Sequence, residues 1–284
     1  MSALARRIAD RIAREGPLPF SAFMEMALYD PGDGYYCGDP FGKKGDFFTA
    51  CQLQPVFGSF ARALAESLDP SFENFTDIGA GREELRQSFG DKNYRAVQRG
   101  QSMPKTKTGI LFANEFFDAL PIDLFQDDVL LRVGGNEKKF VWFPFSPSTG
   151  VREVRPSSLR YVHEAWSSIE SGFFIAIDYG YRKETYRDRF PQGSLMSYKK
   201  HVAIDDVLQG PGAQDITAHV DWDESIAEAE SVGWSLKSLS TLRAAMLALG
   251  PEILESLFSL DKMQFRTLFF AMGESFEVLV MQKK

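Results

Sequence analysis

A chain of 284 residues can hold one large domain or two smaller ones around a substantial core. Hydrophobic residues at 44% and charged residues at 25% are the proportions of an ordinary globular protein. A formal charge of −7 and a pI near 5.2 argue against a nucleic-acid backbone as the main partner, and no apolar run of about 18 residues is present to span a bilayer.

Met1 to Gly16 carries Leu4, Ile8 and Ile12 at helical spacing, with Arg6, Arg7, Arg11 and Arg14 between them. Asp10 and Glu15 interrupt the basic bias of an organelle transit peptide, so the segment reads as the first helix of the fold. Residues 17–60 are turn-rich, with short helices expected near 19–28 and 54–68. The second of these places Phe57, Phe60, Leu64 and Leu68 on one face. A strand is expected from Phe75 to Ile78, a tight turn at Gly79-Ala80-Gly81, a helix from Arg82 to Phe89 and a strand from Tyr94 to Gln98. Gly100 to Gly109 lacks helical periodicity, so the crossover helix that parallel strands need is lost or cut short there.

Ile110 to Ala113 is a buried strand. Val129 to Val133 and Lys139 to Phe143 read as a hairpin turning at Gly134-Gly135-Asn136-Glu137. Helices are expected over 157–169 and over 223–232, the latter closed by Gly233. Another starts at Pro251 and runs through the 250s and 260s. Strands are expected over 173–177 and 276–281. The alternation describes a doubly wound α/β sheet. Residues 1–70 read as a helical, turn-rich region packed on the core, and 71–284 as a Rossmann-like domain with an insertion at about 122–170.

Cys37 and Cys51 form no CxxC pair, and His163, His201 and His219 lack metal-ligand spacing, so no metal site is expected. Two cysteines without a disulfide framework suit a reducing, cytoplasmic setting. Chemistry concentrates elsewhere. Asp77-Ile78-Gly79-Ala80-Gly81 puts glycines after a strand, where backbone and a helix amino end can approach a ligand such as a dinucleotide or S-adenosylmethionine. Gln98 stands where a ribose-binding carboxylate belongs, at the end of the next strand.

Asn114-Glu115-Phe116-Phe117-Asp118-Ala119-Leu120-Pro121 follows a buried strand directly, at the strand end where open α/β sheets bind ligands. Two carboxylates among aromatics suit a cationic, hydrogen-bond-donating group such as a guanidinium, which they would orient and help deprotonate. Asp118 as a helix cap and Glu115 as a surface ion-pair partner is the plainer alternative. His219 alternates with apolar residues in Asp215 to Asp221, which fits a strand side chain as well as a base.

These motifs, with Phe20, Ala27-Leu28-Tyr29-Asp30-Pro31, Gly34-Tyr35-Tyr36, Gly45-Asp46-Phe47, Thr49, Phe57-Gly58, Asp178-Tyr179-Gly180 and Gly193-Ser194-Leu195, occur in an order that resembles the MidA family of S-adenosylmethionine-dependent methyltransferases. The resemblance covers nearly the whole chain. It implies a class I S-adenosylmethionine methyltransferase fold and S-adenosylmethionine as cofactor. It also implies a protein arginine as acceptor, which in mitochondria lies on a subunit of respiratory complex I. Carried onto this sequence, it lays the cofactor over Gly79 and Gly81 and puts Asp46, Asn114 and Glu115 near the methyl-transfer site. With the reading of the residues themselves, the candidate catalytic residues are Glu115, Asp118, Asp46 and His219, and the candidate cofactor-binding residues are Asp77, Gly79, Ala80, Gly81, Gln98, Asn114 and Thr49. The chain differs from the family pattern at Glu83, where a third glycine is usual, at Gln98, and in the short 99–109 stretch. A non-catalytic descendant that binds a protein partner is the alternative reading, and a nucleotide-dependent oxidoreductase a more distant one.

Overall fold

The computed structural model describes residues 2–38, 49–199 and 202–284. The chain forms two compact units, each assembled from three stretches: 1–48, 119–158 and 182–219 in one, and 49–118, 159–181 and 220–284 in the other.

The second unit carries the central sheet. Its strands are β1 (Asn74–Ile78), β2 (Asn93–Val97), β3 (Thr106–Asn114), β4 (Ile169–Tyr181), β5 (Val220–Asp221), β6 (Ser235–Thr241) and β7 (Phe276–Lys283). The order is β6-β7-β4-β3-β1-β2, with β5 paired to the end of β4. Strands β1 to β4 run parallel, whereas β7 is antiparallel to both β4 and β6. The continuous apolar run of β4 is explained by burial on both faces. Phe173, Ile175 and Ile177 join Phe57, Phe60 and Leu64 of the helix Val56–Leu68, while Phe174 and Ala176 meet Val162, Trp222 and Ala229. Phenylalanines fill much of this core: Phe75 stacks on Phe89 at 3.7 Å and packs against Phe112.

Three expectations are corrected here. The helix expected over Arg82 to Phe89 is a single 3-10 turn, Glu84–Gln87. Glu83 just before it has φ 60°, a left-handed backbone that no helix interior accommodates. The hairpin pairs Arg132–Asn136 with Lys139–Phe143, so its tip is Glu137-Lys138. Gly135 lies inside the strand at φ 108°, where a Cβ would stand 2.3 Å from the Lys139 carbonyl. Val129–Leu130 pairs instead with Asp123–Gln126. The helix begun at Pro251 stops at Leu260, because Asp261 caps a new helix, Lys262–Arg266, by accepting from the Met263 and Gln264 amides at 2.9 Å.

The missing crossover helix is observed as expected. The chain passes from Val97 at the end of β2 to Thr106 at the start of β3, on the far side of β1, without a helix. So short a strap reaches only if it is nearly extended, at about 3.3–3.6 Å per residue. An extended strap leaves backbone amides to satisfy. Gly100 donates to the Tyr161 hydroxyl at 3.0 Å and Met103 to Glu164 Oε1 at 2.8 Å.

In the first unit, Leu4, Ile8 and Ile12 of the helix Ala3–Glu15 are buried with Phe20, Phe23, Met24 and Leu28 of the helix Phe20–Tyr29, against Val133 and Phe140 of the hairpin. The stripe read from the sequence is therefore a core stripe. Two further three-stranded sheets complete this unit. Among the described residues, no helix is long and apolar enough to cross a membrane.

Candidate active site

Register decides which residues meet. Ile78 on β1 lies opposite Ala113 on β3, and Asn114 opposite Ile177 on β4. The carboxyl ends of β1, β3 and β4 thus deliver Asp77 with the glycine turn, Asn114-Glu115, and Asp178 to one edge of the sheet.

The glycine turn is built from positive φ angles at Gly79 (72°) and Gly81 (52°). Gly79 has no room for a side chain, since a Cβ would stand 2.3 Å from the Phe116 ring; its amide donates to the Val97 carbonyl at 2.8 Å. Gly81 is the open position, where among the described residues a Glu84 carboxylate oxygen stands 3.7 Å from a Cβ built there. Ala80 is buried and its carbonyl accepts from the Glu83 amide. Gln98, expected to meet a ribose, donates through Nε2 to the Gly81 carbonyl at 3.1 Å and so braces the turn itself. Glu83, the departure from the family pattern, is ion-paired with Arg86, which compensates its charge locally.

Asp77 is buried and accepts from the Tyr94 hydroxyl at 2.6 Å. Burial, and behind it the charges of Glu84 and Glu83, push its carboxyl up to about 7 against the pull of that hydrogen bond. A carboxyl whose pKa is higher folded than unfolded contributes stability at low pH that is lost as pH rises from about 4 through 7. Asp77→Asn removes that loss. The melting-temperature gap between variant and wild type, measured without ligand, should widen from pH 5 to pH 8 in favour of the variant. A gap that stays constant between those pH values contradicts the assignment.

The segment after β3 is held by β4. The Glu115 amide donates to the Ile177 carbonyl at 2.9 Å. Asp178 is wholly buried, and its Oδ2 accepts from three successive amides, Phe116 at 3.1 Å, Phe117 at 2.8 Å and Asp118 at 3.3 Å. Burial first, then the charge of Asp118, push Asp178 well above the usual carboxylate range, opposed by those amides. The clamp forces Glu115 to φ 48°, a left-handed conformation that costs a non-glycine residue about 1–3 kcal/mol and clusters at functional sites. Glu115 Oε1 accepts from the Ala50 amide at 2.7 Å and from Asn114 Nδ2 at 3.0 Å. Burial raises its carboxyl to about 8, the Ala50 amide opposes this, and the charge of Asp118 adds to it. Thr49 precedes the 3-10 turn Ala50–Gln52, whose Cys51 thiol burial, Asp77, Glu115 and Glu84 together raise well above its usual range.

The expected site residues thus fall into groups. Asp77, Gly79, Ala80, Gly81, Gln98, Asn114, Glu115 and Asp118 come together, with Thr49 leading into the turn beside them. His219 belongs to the other unit, where its ring packs on Phe190 at 4.6 Å and its amide donates to Ser194 Oγ at 2.9 Å. There the buried pair Glu153–Arg155 ties Ser194 to the His219 carbonyl. Asp46 and His201 lie outside the described residues. Asp178 was the residue passed over as a site member, and its position at the carboxyl end of the apolar run 173–177 was the available signal. Among the described residues, no group of His, Cys, Asp and Glu is arranged to hold a metal ion.

A mixed α/β sheet with a glycine turn after its first strand, and acidic residues gathered at the carboxyl ends of its parallel strands, defines a class I S-adenosylmethionine-dependent methyltransferase. A family model described as "Putative S-adenosyl-L-methionine-dependent methyltransferase" matches residues 132–240. The mitochondrial protein arginine methyltransferase NDUFAF7 of Xenopus tropicalis is 24% identical over 78% of this chain and 70% of its own length. Its Drosophila melanogaster homologue is 24% identical over 77% and 68%. A Burkholderia thailandensis protein crystallised with S-adenosyl-homocysteine is 26% identical, with a TM-score of 0.81 over 99% of this chain and 92% of that one. The cofactor is S-adenosylmethionine, and the residues present fit it. Gly81 leaves backbone open to approach, Asp77 offers a buried carboxylate, and Asn114 Oδ1 is buried without a hydrogen-bond partner among the described residues.

Proposed function

We propose that this protein transfers a methyl group from S-adenosylmethionine to the guanidinium of an arginine in a protein acceptor. The carrying observation is Glu115, held in a left-handed conformation among the Ala50 amide, Asn114 and Asp118, with its carboxyl raised to about 8. The names of the distant NDUFAF7 relatives point the same way.

When bound, the cofactor supplies an electrophilic methyl on a sulfonium. The chain's own work is positioning and proton handling. A carboxyl raised to about 8 is mostly protonated at neutral pH until a cation arrives beside it. Entry of a guanidinium favours the ionised form, so Glu115 gives up its proton as the acceptor docks. The resulting carboxylate orients the guanidinium and localises its charge away from the attacked nitrogen. Asp118 on the same segment adds a second negative charge for the cation. As methyl transfer proceeds, the nitrogen loses a proton, and Glu115 is the group placed to receive it. A subunit of a respiratory complex is the acceptor class that the MidA resemblance implies.

Incubation with methyl-labelled S-adenosylmethionine and arginine-containing peptides, followed by mass spectrometry of the products, tests the reading. Methylarginine is expected. Label on another side chain, or none from a protein that binds S-adenosyl-homocysteine, would overturn the arginine assignment.

A further inference from the structure

The 3-10 turn Ala50–Gln52 packs against the 3-10 turn Glu84–Gln87 that follows the glycine turn. Its middle residue, Cys51, sits in the fields of Asp77, Glu84 and Glu115, and its thiol is within hydrogen-bonding reach of the Asn114 side chain. The turn therefore lies at the carboxyl ends of β1 and β3, inside the cluster described above. The next residue, Gln52, has both Oε1 and Nε2 buried, and neither has a hydrogen-bond partner among the described residues. Among the described residues Asn114 Oδ1 is buried and without a partner as well, although Asn114 Nδ2 is bound to Glu115.

A buried amide with both ends unmet is costly, and native proteins rarely keep one without a use for it. The unmet groups here are two acceptors, Gln52 Oε1 and Asn114 Oδ1, and one donor, Gln52 Nε2. Their combination selects among ligand chemistries. A guanidinium offers only donors and would leave Gln52 Nε2 unmet. A lone carboxylate or phosphate offers only acceptors and would leave both oxygens unmet. An α-amino acid group supplies an ammonium for the two oxygens and a carboxylate for the amide nitrogen. The surrounding charge agrees: Glu84, and Asp77 when ionised, attract an ammonium and repel a carboxylate, so the ligand's carboxylate needs a neutral donor brought to it.

We infer that Gln52, together with Asn114, holds the amino-acid end of the cofactor, with Gln52 Nε2 donating to its carboxylate and the two amide oxygens accepting from its ammonium. Gln52 is a binding and specificity residue in this role, and it deepens the cofactor assignment without depending on the acceptor.

Calorimetric titration with S-adenosyl-homocysteine and with 5′-methylthioadenosine, which lacks the amino-acid end, separates the possibilities. Wild type should prefer S-adenosyl-homocysteine. Gln52→Met should weaken that ligand by about tenfold or more, as expected for one hydrogen bond to a charged group, and leave 5′-methylthioadenosine within about twofold. Gln52→Glu should weaken S-adenosyl-homocysteine further by setting a negative charge against the ligand's carboxylate. Gln52→Met should also raise the melting temperature of the ligand-free protein, because an unmet amide is replaced by an apolar chain of similar length. A raised melting point with lowered affinity is a combination that a purely structural residue does not produce. Equal losses for both ligands, or unchanged S-adenosyl-homocysteine binding, would overturn the inference while leaving the cofactor assignment intact. Binding of neither ligand by wild type would overturn both. Should Gln52→Met overfill the site, Gln52→Ala provides the same two-ligand comparison.

Discussion

Glu115→Gln should reduce methyl transfer by about 10²–10⁴-fold, the range for loss of a positioned acid–base group. Glutamine keeps an oxygen for the Ala50 amide, which Glu115 binds at 2.7 Å. The local structure therefore survives while the charge that localises the guanidinium is lost. Affinity for S-adenosyl-homocysteine should change by less than about threefold, because the variant removes nothing assigned to that ligand. The pH dependence follows from the same carboxyl. With its pKa near 8, productive binding of a cationic acceptor requires displacing a proton below that pH. In wild type, kcat/KM should therefore rise about tenfold per pH unit up to roughly 8 and then level off. In Glu115→Gln that rise should vanish. A variant with full activity, or a rise that persists without Glu115, would place acceptor chemistry elsewhere.

Asp178→Ala should lower the unfolding free energy by about 3–5 kcal/mol, the scale for leaving several buried donors without their acceptor. Three amides would lose the oxygen that binds them at 3.1, 2.8 and 3.3 Å. Water would replace it poorly in a position with no exposure. Asp178→Asn should fall between, since its oxygen can still accept. Its amide group, however, would oppose the Tyr179 N–H that now donates to Oδ1 at 2.9 Å. Because those amides belong to the segment holding Glu115 at φ 48°, transfer should fail in both variants under conditions where they remain folded. Urea denaturation, with hydrogen exchange at Phe116 to Asp118, measures the effect. A loss under about 1 kcal/mol for Asp178→Ala, with those amides still protected, would show that another group holds the segment.

Much of this was legible in the chain. The run Ile110 to Ala113 and the run Phe173 to Ile177 announce strands because they are buried on both faces, so their hydrophobicity is unbroken. Leu4, Ile8 and Ile12 announce a helix because one face packs inward. The site was legible for a related reason. Asp77 with its glycines, and Asn114 with Glu115, each follow such a strand immediately, so position along the chain already implies position at the sheet edge. The helix expected over Arg82 to Phe89 misread helix propensity as sufficient. The left-handed Glu83 is a backbone choice that propensity does not report. The hairpin register failed similarly, because Gly134-Gly135-Asn136 has turn composition but takes strand conformation where Gly135 lies against the Lys139 carbonyl.

By itself, then, the sequence determined the kind of sheet, the order of its main strands along the chain, and the residues that begin its ligand-facing loops. These depend on local burial patterns and on which residue follows which strand. The tertiary structure alone decided what those residues do to one another. That Asp178 clamps the amides of a segment some sixty residues earlier, that the Ala50 amide caps Glu115, and that Gln98 is spent on the Gly81 carbonyl are contacts between distant parts of the chain. So are the raised carboxyls of Asp77 and Glu115. Their cause is removal from water among other carboxylates, and neither burial nor the neighbours of a buried charge can be read until the strands are in register.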